Sequence, residues 1–483
     1  MGDSSSRGSL VGRVLGPTVF LIVLVVPTGG LTGDAKRVAA VVLWMAVWWV
    51  TEAAPLAVTA MMPLVLFPLF AVRRVVDVAP NYSDHMIFLF LGGFILALAV
   101  ERSGLHRRLA LAILDAVGTS PRRLVWGFLL GSAALSMWLS NTATTLMMLP
   151  IAAGVASRIE HPRAPTRLML AVAYGASIGG IGTLVGTPPN LVLAGMAPNL
   201  VPDLEGLTFG GWMLFGLPLV LIFLPVAGLQ LGRGLPTGAG DDSSLSAERA
   251  ALGPLSSRER RVAILFTFTA VAWVTRAGFD FGSLSIPGWS ALLPDPKLVS
   301  DAVPAIAAAI VAALLPAGMG EGHRLIEWDE IRHGVPWGVL LLFGGGFAIA
   351  DSVRASGLDD WLAASLHGLA TLPLPLVVLS ICLITTSATE LTSNTATATL
   401  LMPVMAALSQ VLAVPPYLLM VAATVSASCA FMLPVATPPN AIVIGSGRVS
   451  AQDLFREGIW LNLAGAVLIT VAVLTIGRWF LPM

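Results

Sequence analysis

The chain has 483 residues, of which 56% are hydrophobic and 11% are charged, and its formal net charge is zero. Soluble globular domains carry about 25% charged residues, so this composition excludes a protein with a mostly water-exposed surface and indicates an integral membrane protein. A chain without net positive charge has no electrostatic footprint for a nucleic acid, so no nucleic-acid partner is expected.

Three apolar runs, at about 14–31, 38–50 and 54–72, predict a unit of N-terminal membrane spans over residues 1–84. The segment 1–13 is polar, and no small-residue cleavage site follows the first run. That run is therefore expected to be a retained span and not a signal peptide.

The next unit, residues 85–232, opens with a predicted span at 86–100. Across 105–123 the pattern changes, because leucines and isoleucines are interleaved with charged residues such as Arg107 and Arg108. This interleaving is typical of an amphipathic helix that lies on the membrane surface.

A polar pentad, Ser140-Asn141-Thr142-Ala143-Thr144, then interrupts the apolar sequence. Its flanking arms, at 124–139 and 146–155, are each shorter than the ~20 residues of a helical span. The sequence therefore predicts a re-entrant helical hairpin with the pentad at its tip. The following stretch, 168–200, is interrupted at Thr187-Pro188-Pro189-Asn190 and predicts a broken span.

Residues 233–261 are polar and predict a soluble linker between two halves of the chain. Residues 262–334 contain two further predicted spans with a polar loop between them. Residues 335–483 then repeat the earlier pattern. A second pentad, Ser393-Asn394-Thr395-Ala396-Thr397, lies at the tip of a second predicted hairpin, and Thr437-Pro438-Pro439-Asn440 interrupts a second broken span.

The two halves form an internal repeat. The pentads lie 253 residues apart, and the Thr-Pro-Pro-Asn motifs lie 250 apart. Five predicted spans separate the copies, and an odd number inverts the second copy relative to the first. Arginines flank the first hairpin far more densely than the second, so the positive-inside rule places the base of the first hairpin and the N-terminus in the cytoplasm. Lys36-Arg37 and Arg73-Arg74 are exceptions to this rule.

The repeated motifs offer two kinds of ligand in one place. At each proline-containing break, backbone carbonyls lose their helical hydrogen bonds. Together with Ser, Thr and Asn side-chain oxygens, these carbonyls are suitable ligands for a small hard cation such as Na⁺. Helix N-termini after the tips, with Asn amides and Thr hydroxyls, suit a carboxylate or a sulfate. This combination predicts a secondary transporter that binds its cargo near the membrane midplane. The alternative is that the polar side chains only join helices by hydrogen bonds.

Other classes of protein fit less well. No His or Asp lies near the Ser of either pentad in sequence, so an enzyme is not expected. An ion channel is a further alternative class, distinguished by a flux that no second solute can drive uphill. Glu390, next to the second tip, is either a functional group or a structural capping group, and the sequence leaves both interpretations open.

At these residues the chain resembles the divalent anion/sodium symporter family, the sodium-coupled carriers of dicarboxylates, citrate and sulfate. The paired Ser-Asn-Thr signatures, with segments 136–142 and 436–440, carry the resemblance, which extends over about 14–480. It implies an all-α integral membrane fold of about eleven transmembrane helices plus two re-entrant hairpins. It further implies an inverted-repeat, elevator-type homodimer in the plasma membrane, with 1–84 and 262–334 in its scaffold.

The resemblance also implies the residues of the site. The first sodium site would be formed by Ser136, Ser140, Asn141 and Gly186, and the second by Thr389, Ser393, Asn394 and Ala436. The substrate carboxylates would meet Asn141, Thr142, Thr187, Pro188, Asn394, Thr395, Thr437 and Pro438.

The implied activity is Na⁺-coupled symport of a C4-type dicarboxylate, such as succinate, malate or fumarate, into the cell with two or more Na⁺. Citrate, sulfate or another oxyanion is the alternative cargo. A Na⁺-independent dicarboxylate exchanger is the alternative mode of transport. The motif positions carry no basic residue, which favours sodium coupling.

Overall fold

The computed structural model describes residues 4–31, 33–201, 204–238, 243–280, 284–318 and 323–481. It is 76% helical. The helices of the first half are α1 (Ser4–Val25), α2 (Gly33–Thr51), α3 (Leu56–Ala60), α4 (Met62–Leu69), α5 (Val75–Val78), α6 (His85–Ser103), α7 (Leu105–Val117), α8 (Pro121–Ser136), α9 (Asn141–Ala156), α10 (Ala164–Gly180), α11 (Pro188–Leu200) and α12 (Phe209–Gly232).

The second half of the chain contains a second hairpin and a second broken helix. Its helices are α13 (Ser243–Leu252), α14 (Ser257–Thr275), α15 (Ala302–Leu314), α16 (Trp328–Gly334), α17 (Trp337–Ser356), α18 (Leu358–Leu366), α19 (Leu374–Thr389), α20 (Asn394–Leu412), α21 (Pro416–Ala427), α22 (Pro438–Gly445), α23 (Ala451–Leu474) and α24 (Gly477–Phe480). Short 3₁₀ turns lie at Ala79–Ser83, Trp289–Leu292, Pro296–Leu298 and His367–Thr371.

Within the described residues, six helical stretches are long and apolar enough to cross a membrane. They are Gly8–Val25, Val75–Ser103, Phe209–Gly232, Trp337–Ser356, Asn394–Leu412 and Ala451–Leu474. Shorter apolar helices accompany them, among them the hairpin helices α9 and α19, whereas the hairpin helix α20 is one of the six. The prediction of a predominantly helical protein with several apolar helices is confirmed.

Two details of the sequence-based expectation are corrected by the structure, and the first concerns the N-terminus. Helix α1 begins before the predicted start of the first span at residue 14. Gly12 packs so closely against Thr51 of α2 that a Cβ would overlap its side chain. Arg13 Nε donates to the Ala53 carbonyl at 3.0 Å. The polar first turns are thus held in a helix by packing against α2.

The predicted third span, 54–72, is the second correction, because it consists of the two short helices α3 and α4. Pro63 and Pro68 both lie in α4, and proline removes a backbone donor from the helical ladder. The chain then leaves α4 through Ala71, whose φ of 54° belongs to the left-handed region.

The predicted linker, 233–261, contains helical structure. Residues 239–242 lie outside the described residues, but α13 and the start of α14 fall within the segment. Helix α14 begins at Ser257 because Ser256 and Glu259 form a capping box ahead of the apolar run.

The linker is also bonded to the amphipathic helix α7, by contacts that we call the linker clamp. Arg107 pairs with Glu248, and Arg249 Nη1 lies 3.0 Å from Asp115 Oδ1. Arg108 pairs with Glu259, with Nε 3.0 Å from Oε1, and also donates to carbonyls of residues 252–254. The clamp therefore joins α7 to both α13 and α14.

The polar loop after α14 contains the two short strands of the structure's described residues. Strands β1 (Gly278–Asp280) and β2 (Ser285–Pro287) pair antiparallel, with Phe279 opposite Ile286. They form a small hairpin that packs against α12, since a Cβ on Gly210 would lie 3.3 Å from the Phe279 ring.

Helices of the two repeats pack against each other at the centre of the fold. Each hairpin has the form helix, polar tip, helix: α8 and α9 in the first repeat, α19 and α20 in the second. The half-helix that follows each Thr-Pro-Pro-Asn break packs against the hairpin of the other repeat, so that α22 contacts α9 and α11 contacts α20. This crossed packing brings both tips and both breaks to one region.

The repeat also extends further than its polar motifs. A Cβ on Gly92 of α6 would overlap the backbone of Ala305 in α15, and a Cβ on Gly345 of α17 would overlap the backbone of Ala60 in α3. Gly92 and Gly345 are 253 residues apart, the same offset as the pentads. Each repeat therefore makes an equivalent close helix crossing at glycine.

We expect Gly92→Ala or Gly345→Ala to destabilise the protein, because overpacking at a close backbone contact costs about 1–3 kcal/mol. Gly93→Ala is a matched control on the same helix, since a Cβ there meets only a Val185 methyl at 3.4 Å. Thermal unfolding of the purified protein in detergent measures the difference. Equal melting temperatures for Gly92→Ala and Gly93→Ala would contradict the crossing.

Candidate functional site

A cavity of about 1480 Å³ lies where the two repeats meet. The tips of both hairpins and both Thr-Pro-Pro-Asn breaks contribute to its wall. All eight residues predicted to meet substrate carboxylates line it: Asn141, Thr142, Thr187, Pro188, Asn394, Thr395, Thr437 and Pro438. The crossed packing of the repeats therefore assembles residues that are far apart in sequence.

Six of the eight residues predicted to bind sodium also line this cavity: Ser140, Asn141, Gly186, Ser393, Asn394 and Ala436. The remaining two, Ser136 and Thr389, are fully buried behind the tips at 0% exposure. They contact the tips directly, because Ser136 Oγ donates to Asn141 Oδ1 at 2.7 Å and Thr389 Oγ1 donates to Asn394 Oδ1 at 2.7 Å. The two tips thus share one hydrogen-bond arrangement.

Oxygen atoms converge at the first tip over Gly180, the last residue of α10. A Cβ at this position would lie 2.7 Å from Asn141 Oδ1 and 3.1 Å from the Gly186 carbonyl oxygen. The space left by the missing side chain is therefore a cradle between two oxygens that are suitable cation ligands. Ser140 holds the end of this tip by accepting from Ala143 N at 3.2 Å, as an N-cap.

The second tip differs from the first in three respects. The residue equivalent to Gly180 is Ala430, so the cradle there carries a methyl group. Thr389 Oγ1 contacts the Ala427 carbonyl at 2.7 Å as well as Asn394. Ser393 makes no side-chain cap hydrogen bond to α20 among the described residues, unlike Ser140 on α9.

The two helix breaks are closed by asparagine side chains. Asn190 Nδ2 donates to the carbonyls of Gly180 at 3.1 Å and Thr183 at 2.7 Å. Asn440 Nδ2 makes the equivalent bonds to Ala430 at 3.0 Å and Leu433 at 2.9 Å. Carbonyls freed by the break are thereby satisfied inside the protein.

The sequence did not predict this role. It indicated that the asparagine amides of the motifs donate hydrogen bonds to an anion. The structure instead turns the amide nitrogens of Asn190 and Asn440 away from any cargo and onto the chain's own backbone. Both residues are fully buried, and neither lines the cavity. The signal that would have found them is the position of each Asn at the start of a half-helix, next to two prolines that remove backbone donors.

Glu390 has structural partners, which the sequence left undecided. It follows α19 at the second tip and is 1% exposed. Its carboxylate accepts hydrogen bonds from Met432 N at 2.8 Å, Leu433 N at 2.8 Å and Asn462 Nδ2 at 2.7 Å. Glu390 therefore ties the second tip to the second break and to α23.

The charge of the cavity wall is entirely negative. Among the described lining residues, Glu52 and Glu101 are the ones with a formal charge, and none is Lys, Arg or His. Sequence reasoning missed both glutamates, because they lie at the ends of α2 and α6, far from the repeated motifs. An anion that enters this space meets no positive side chain, so its charge must be offset in another way.

A multi-pass helical protein with two duplicated halves, and a cavity between them that polar motifs of both halves line, has the architecture of a membrane transporter. The sequence matches the sodium:sulfate symporter transmembrane region family over residues 8–483, and the chain belongs to this family. The resemblance seen in the paired Ser-Asn-Thr signatures is confirmed.

Similar curated proteins come from staphylococci. The chain is 38% identical to the sodium-dependent dicarboxylate transporter SdcS of Staphylococcus saprophyticus, over 97% of this chain and 92% of that protein. It is 37% identical to SdcS of Staphylococcus aureus, over 97% of this chain and 91% of that protein.

Two solved structures share the fold at low sequence identity. MtrF of Neisseria gonorrhoeae, described as one of a class of antimetabolite efflux pumps, superposes with a TM-score of 0.60 at 11% identity, covering 97% of this chain and 98% of that chain. The YdaH transporter of Alcanivorax borkumensis gives 0.52 at 14% identity, covering 84% and 89%. These similarities concern the fold alone.

We expect Gly180→Ala to weaken Na⁺ binding, because the new methyl group would occupy the cradle between Asn141 and Gly186. Overpacking of about 1–3 kcal/mol corresponds to roughly 5- to 150-fold weaker binding. Equilibrium binding of ²²Na⁺ to the purified protein measures the change. Gly131→Ala in α8 is the control, since its Cβ would meet only side-chain methyl groups, the flexible Met148 Cε at 3.3 Å and Ile113 Cγ2 at 3.9 Å. Equal Na⁺ affinities in the two variants would argue against a cation in the cradle.

Proposed function

We propose that this chain is a secondary active symporter that moves a C4-type dicarboxylate, such as succinate, malate or fumarate, into the cell with two or more Na⁺. The relatives named as sodium-dependent dicarboxylate transporters support this cargo and this ion. The observation that carries the proposal is the cavity, which is lined by both tips and both breaks but by no basic side chain among its described residues.

In this proposal the two tips hold the cations. Ser136, Ser140, Asn141 and Gly186 bind the first Na⁺, and Thr389, Ser393, Asn394 and Ala436 bind the second. These are neutral oxygens, which suit a hard monovalent cation. The Ser136 and Thr389 hydroxyls orient the Asn141 and Asn394 side chains at 2.7 Å.

The dicarboxylate binds between the tips, where its carboxylates meet the side chains and backbone donors of the two motifs. The proposed contacts are Asn141, Thr142, Thr187, Pro188, Asn394, Thr395, Thr437 and Pro438. Helices α9, α11, α20 and α22 all begin at or next to these residues, so four positive dipole ends face the anion.

Sodium must bind before the anion for an electrostatic reason. A dianion in a cavity that contains Glu52 and Glu101 is repelled until cations occupy the tips. If more than two Na⁺ accompany each dianion, net positive charge moves inward. Each such charge gains about 2.3 kcal/mol per 100 mV of membrane potential.

The proposed architecture has about eleven membrane spans, two re-entrant hairpins and an elevator movement in a homodimer of the plasma membrane. Its scaffold includes 1–84 and 262–334, while 85–232 and 335–483 are the two repeats and 233–261 is the linker. The lengths of three hairpin helices support it, because the 16 residues of α8, α9 and α19 each span about 24 Å at 1.5 Å per residue, less than a bilayer core of about 30 Å. The fourth, α20, has 19 residues and spans about 29 Å.

Purified protein in proteoliposomes is expected to take up radiolabelled succinate when an inward Na⁺ gradient is imposed. Asn141→Ala and Asn394→Ala should each reduce this uptake at least about tenfold, since each removes an amide shared by a cation site and the anion site. Asn199→Ala is the matched control, because Asn199 bonds only to its own helix at Gly195 and does not line the cavity.

The alternatives give different results in the same assay. Uptake that ignores Na⁺ but requires internal dicarboxylate would replace symport by exchange. Strong competition by sulfate or citrate, with weak uptake of succinate, would replace the cargo. Full uptake by both Asn141→Ala and Asn394→Ala would remove the proposed site.

A further prediction concerns orientation. With the N-terminus in the cytoplasm, the mouth of the cavity formed by Ser9, Glu52 and Gly334 faces the cytoplasm. The native Cys382 and Cys429 are buried, so a Glu52→Cys variant carries one accessible thiol. A membrane-impermeant maleimide is expected to label it in inside-out vesicles. Labelling only in right-side-out vesicles would reverse the topology.

A further inference from the structure

Four phenylalanine rings form a row across the junction of the two repeats. Phe90 and Phe94 lie on α6, and their equivalents 253 residues later, Phe343 and Phe347, lie on α17. The ring centroids are 5.0 Å apart in the pair on α6, 6.4 Å apart in the pair on α17, and 4.8 Å apart between Phe90 and Phe343. Because Phe90 contacts its own equivalent, a pseudo-twofold axis between the repeats passes close to these two rings.

A twofold relation requires contacts between the repeats to occur in pairs, since the equivalents of two contacting residues should also be in contact. The hairpins follow this rule, because α9 contacts α22 and α20 contacts α11. The surroundings of α6 and α17 do not follow it. Helix α11 packs along α17, whereas α22 and α6, which are their equivalents, both border the cavity. The cavity therefore lies at the half of this junction that is open.

The difference is clearest at one glycine of each repeat. A Cβ on Gly195 of α11 would lie 2.1 Å from Phe347 Cζ, so the phenylalanine ring occupies the place of a side chain. The equivalent glycine is Gly445 of α22, which lies 250 residues later, at the offset of the Thr-Pro-Pro-Asn motifs. A Cβ on Gly445 would meet nothing within 4 Å, and Phe94, the equivalent of Phe347, lines the cavity. One glycine notch is thus filled by a ring, and its equivalent is open.

A valine of each helix break shows the same asymmetry. Val185 packs on α6, where its Cγ1 lies 3.4 Å from the position of a Cβ on Gly93. Its equivalent, Val435, is 81% exposed on the cavity wall. Gly346, the equivalent of Gly93, is covered by Thr399 of α20, whose Cγ2 lies 3.0 Å from the position of a Cβ. Equivalent positions on α6 and α17 therefore meet different partners in this structure.

We propose that Phe94 and Gly445 form the contact that closes the cavity in the opposite access state, as Phe347 and Gly195 close the equivalent space here. The inference rests on the proposed alternating-access transport and its inverted repeat. In the opposite state the Phe94 ring fills the notch at Gly445, and Val435 packs on Gly346. Phe347 leaves Gly195, so that α11 and α17 separate and open the cavity to the other side of the membrane.

The exchange of equivalent contacts keeps the two states close in free energy. Each state buries one phenylalanine ring in a glycine notch and exposes the other, so the apolar area removed from water is similar in both. Phe90 and Phe343, which are 1% and 2% exposed, lie beside the axis and retain their contact. A bistable interface of this kind lets a bound cargo select between states that are both populated.

Gly445→Leu tests the open notch, because the new side chain fits this structure but occupies the space that Phe94 needs. Na⁺-driven uptake of succinate into proteoliposomes should fall about fivefold or more, which is the low end of the cost of overpacking. The melting temperature should not fall. Gly368→Leu is the control, since a Cβ there also meets nothing within 4 Å and Gly368 does not line the cavity. Full uptake by Gly445→Leu would overturn the proposal.

A second substitution identifies the partner of Gly445. Phe94→Ala should restore much of the uptake lost in Gly445→Leu, because it makes room for the leucine, whereas general damage to α22 would not respond to a change on α6. Phe347→Ala is the matched control, since it empties the other notch and should restore nothing. Rescue by Phe347→Ala but not by Phe94→Ala would contradict the pairing.

A disulfide cross-link tests the contact without measuring transport. Native Cys382 and Cys429 are buried, so Phe94→Cys with Gly445→Cys supplies the two reactive thiols. Copper phenanthroline should oxidise them to a disulfide whenever the protein visits the opposite state. A protease site inserted at residues 239–242 makes the bond visible on a non-reducing gel, because only cross-linked halves stay together after cleavage.

Gly195→Cys with Phe347→Cys is the matched pair for the present state and should also cross-link. A disulfide in this pair but none between positions 94 and 445 would overturn the proposal. Failure of the symport is a separate result, since it would appear as Na⁺-independent uptake by the unaltered protein while both cross-links still form.

Discussion

The central constraint on this structure is that backbone groups released by a broken helix must be satisfied within the protein. Each break contains fully buried residues, among them Thr183 and Asn190 in the first repeat and Ala430 and Asn440 in the second, and a carbonyl freed there needs a partner within the protein. The chain solves this with one asparagine per break, Asn190 and Asn440, whose amides each bond to two carbonyls of the preceding segment. Only because those carbonyls are satisfied can the remaining oxygens of the breaks face the cavity.

From that constraint the arrangement of the two repeats follows. A half-helix that starts inside the protein needs a neighbour for its apolar sides, and the hairpin of the other repeat provides it, as α9 contacts α22 and α20 contacts α11. The same crossing puts a tip opposite each break. The binding region is therefore a property of the pair of repeats, since neither repeat encloses the cavity by itself.

Much of this arrangement of tips and breaks could be predicted from the sequence, because polar residues are conspicuous within apolar segments that could span a membrane. The two pentads lie 253 residues apart and the two proline motifs lie 250 apart. Every residue predicted to contact the substrate lines the same cavity. Features without a local signal could not be predicted. Glu52 and Glu101 reach the cavity only through helix packing, and the crossing at Gly345 and Ala60 involves small apolar residues that resemble the rest of the chain.

The absence of a local signal also explains why two peripheral features were not predicted. The polar start of α1 and the helix in the predicted linker are stabilised by partners distant in sequence, Ala53 in one case and α7 in the other. Local composition carries no record of those partners. Proline, in contrast, acts locally. Pro63 and Pro68 could therefore have predicted that the third span divides into α3 and α4.

The linker clamp has a consequence for any study of ion dependence. Its two pairs to α13, Arg107 with Glu248 and Arg249 with Asp115, lie at the surface, where added salt weakens them over a Debye length of about 8–10 Å. Sodium chloride therefore acts on this protein in two ways, as a source of a specific ligand and as a general electrolyte that loosens α13 from α7. A response to Na⁺ identifies a binding site only when total ionic strength is held constant with an inert cation.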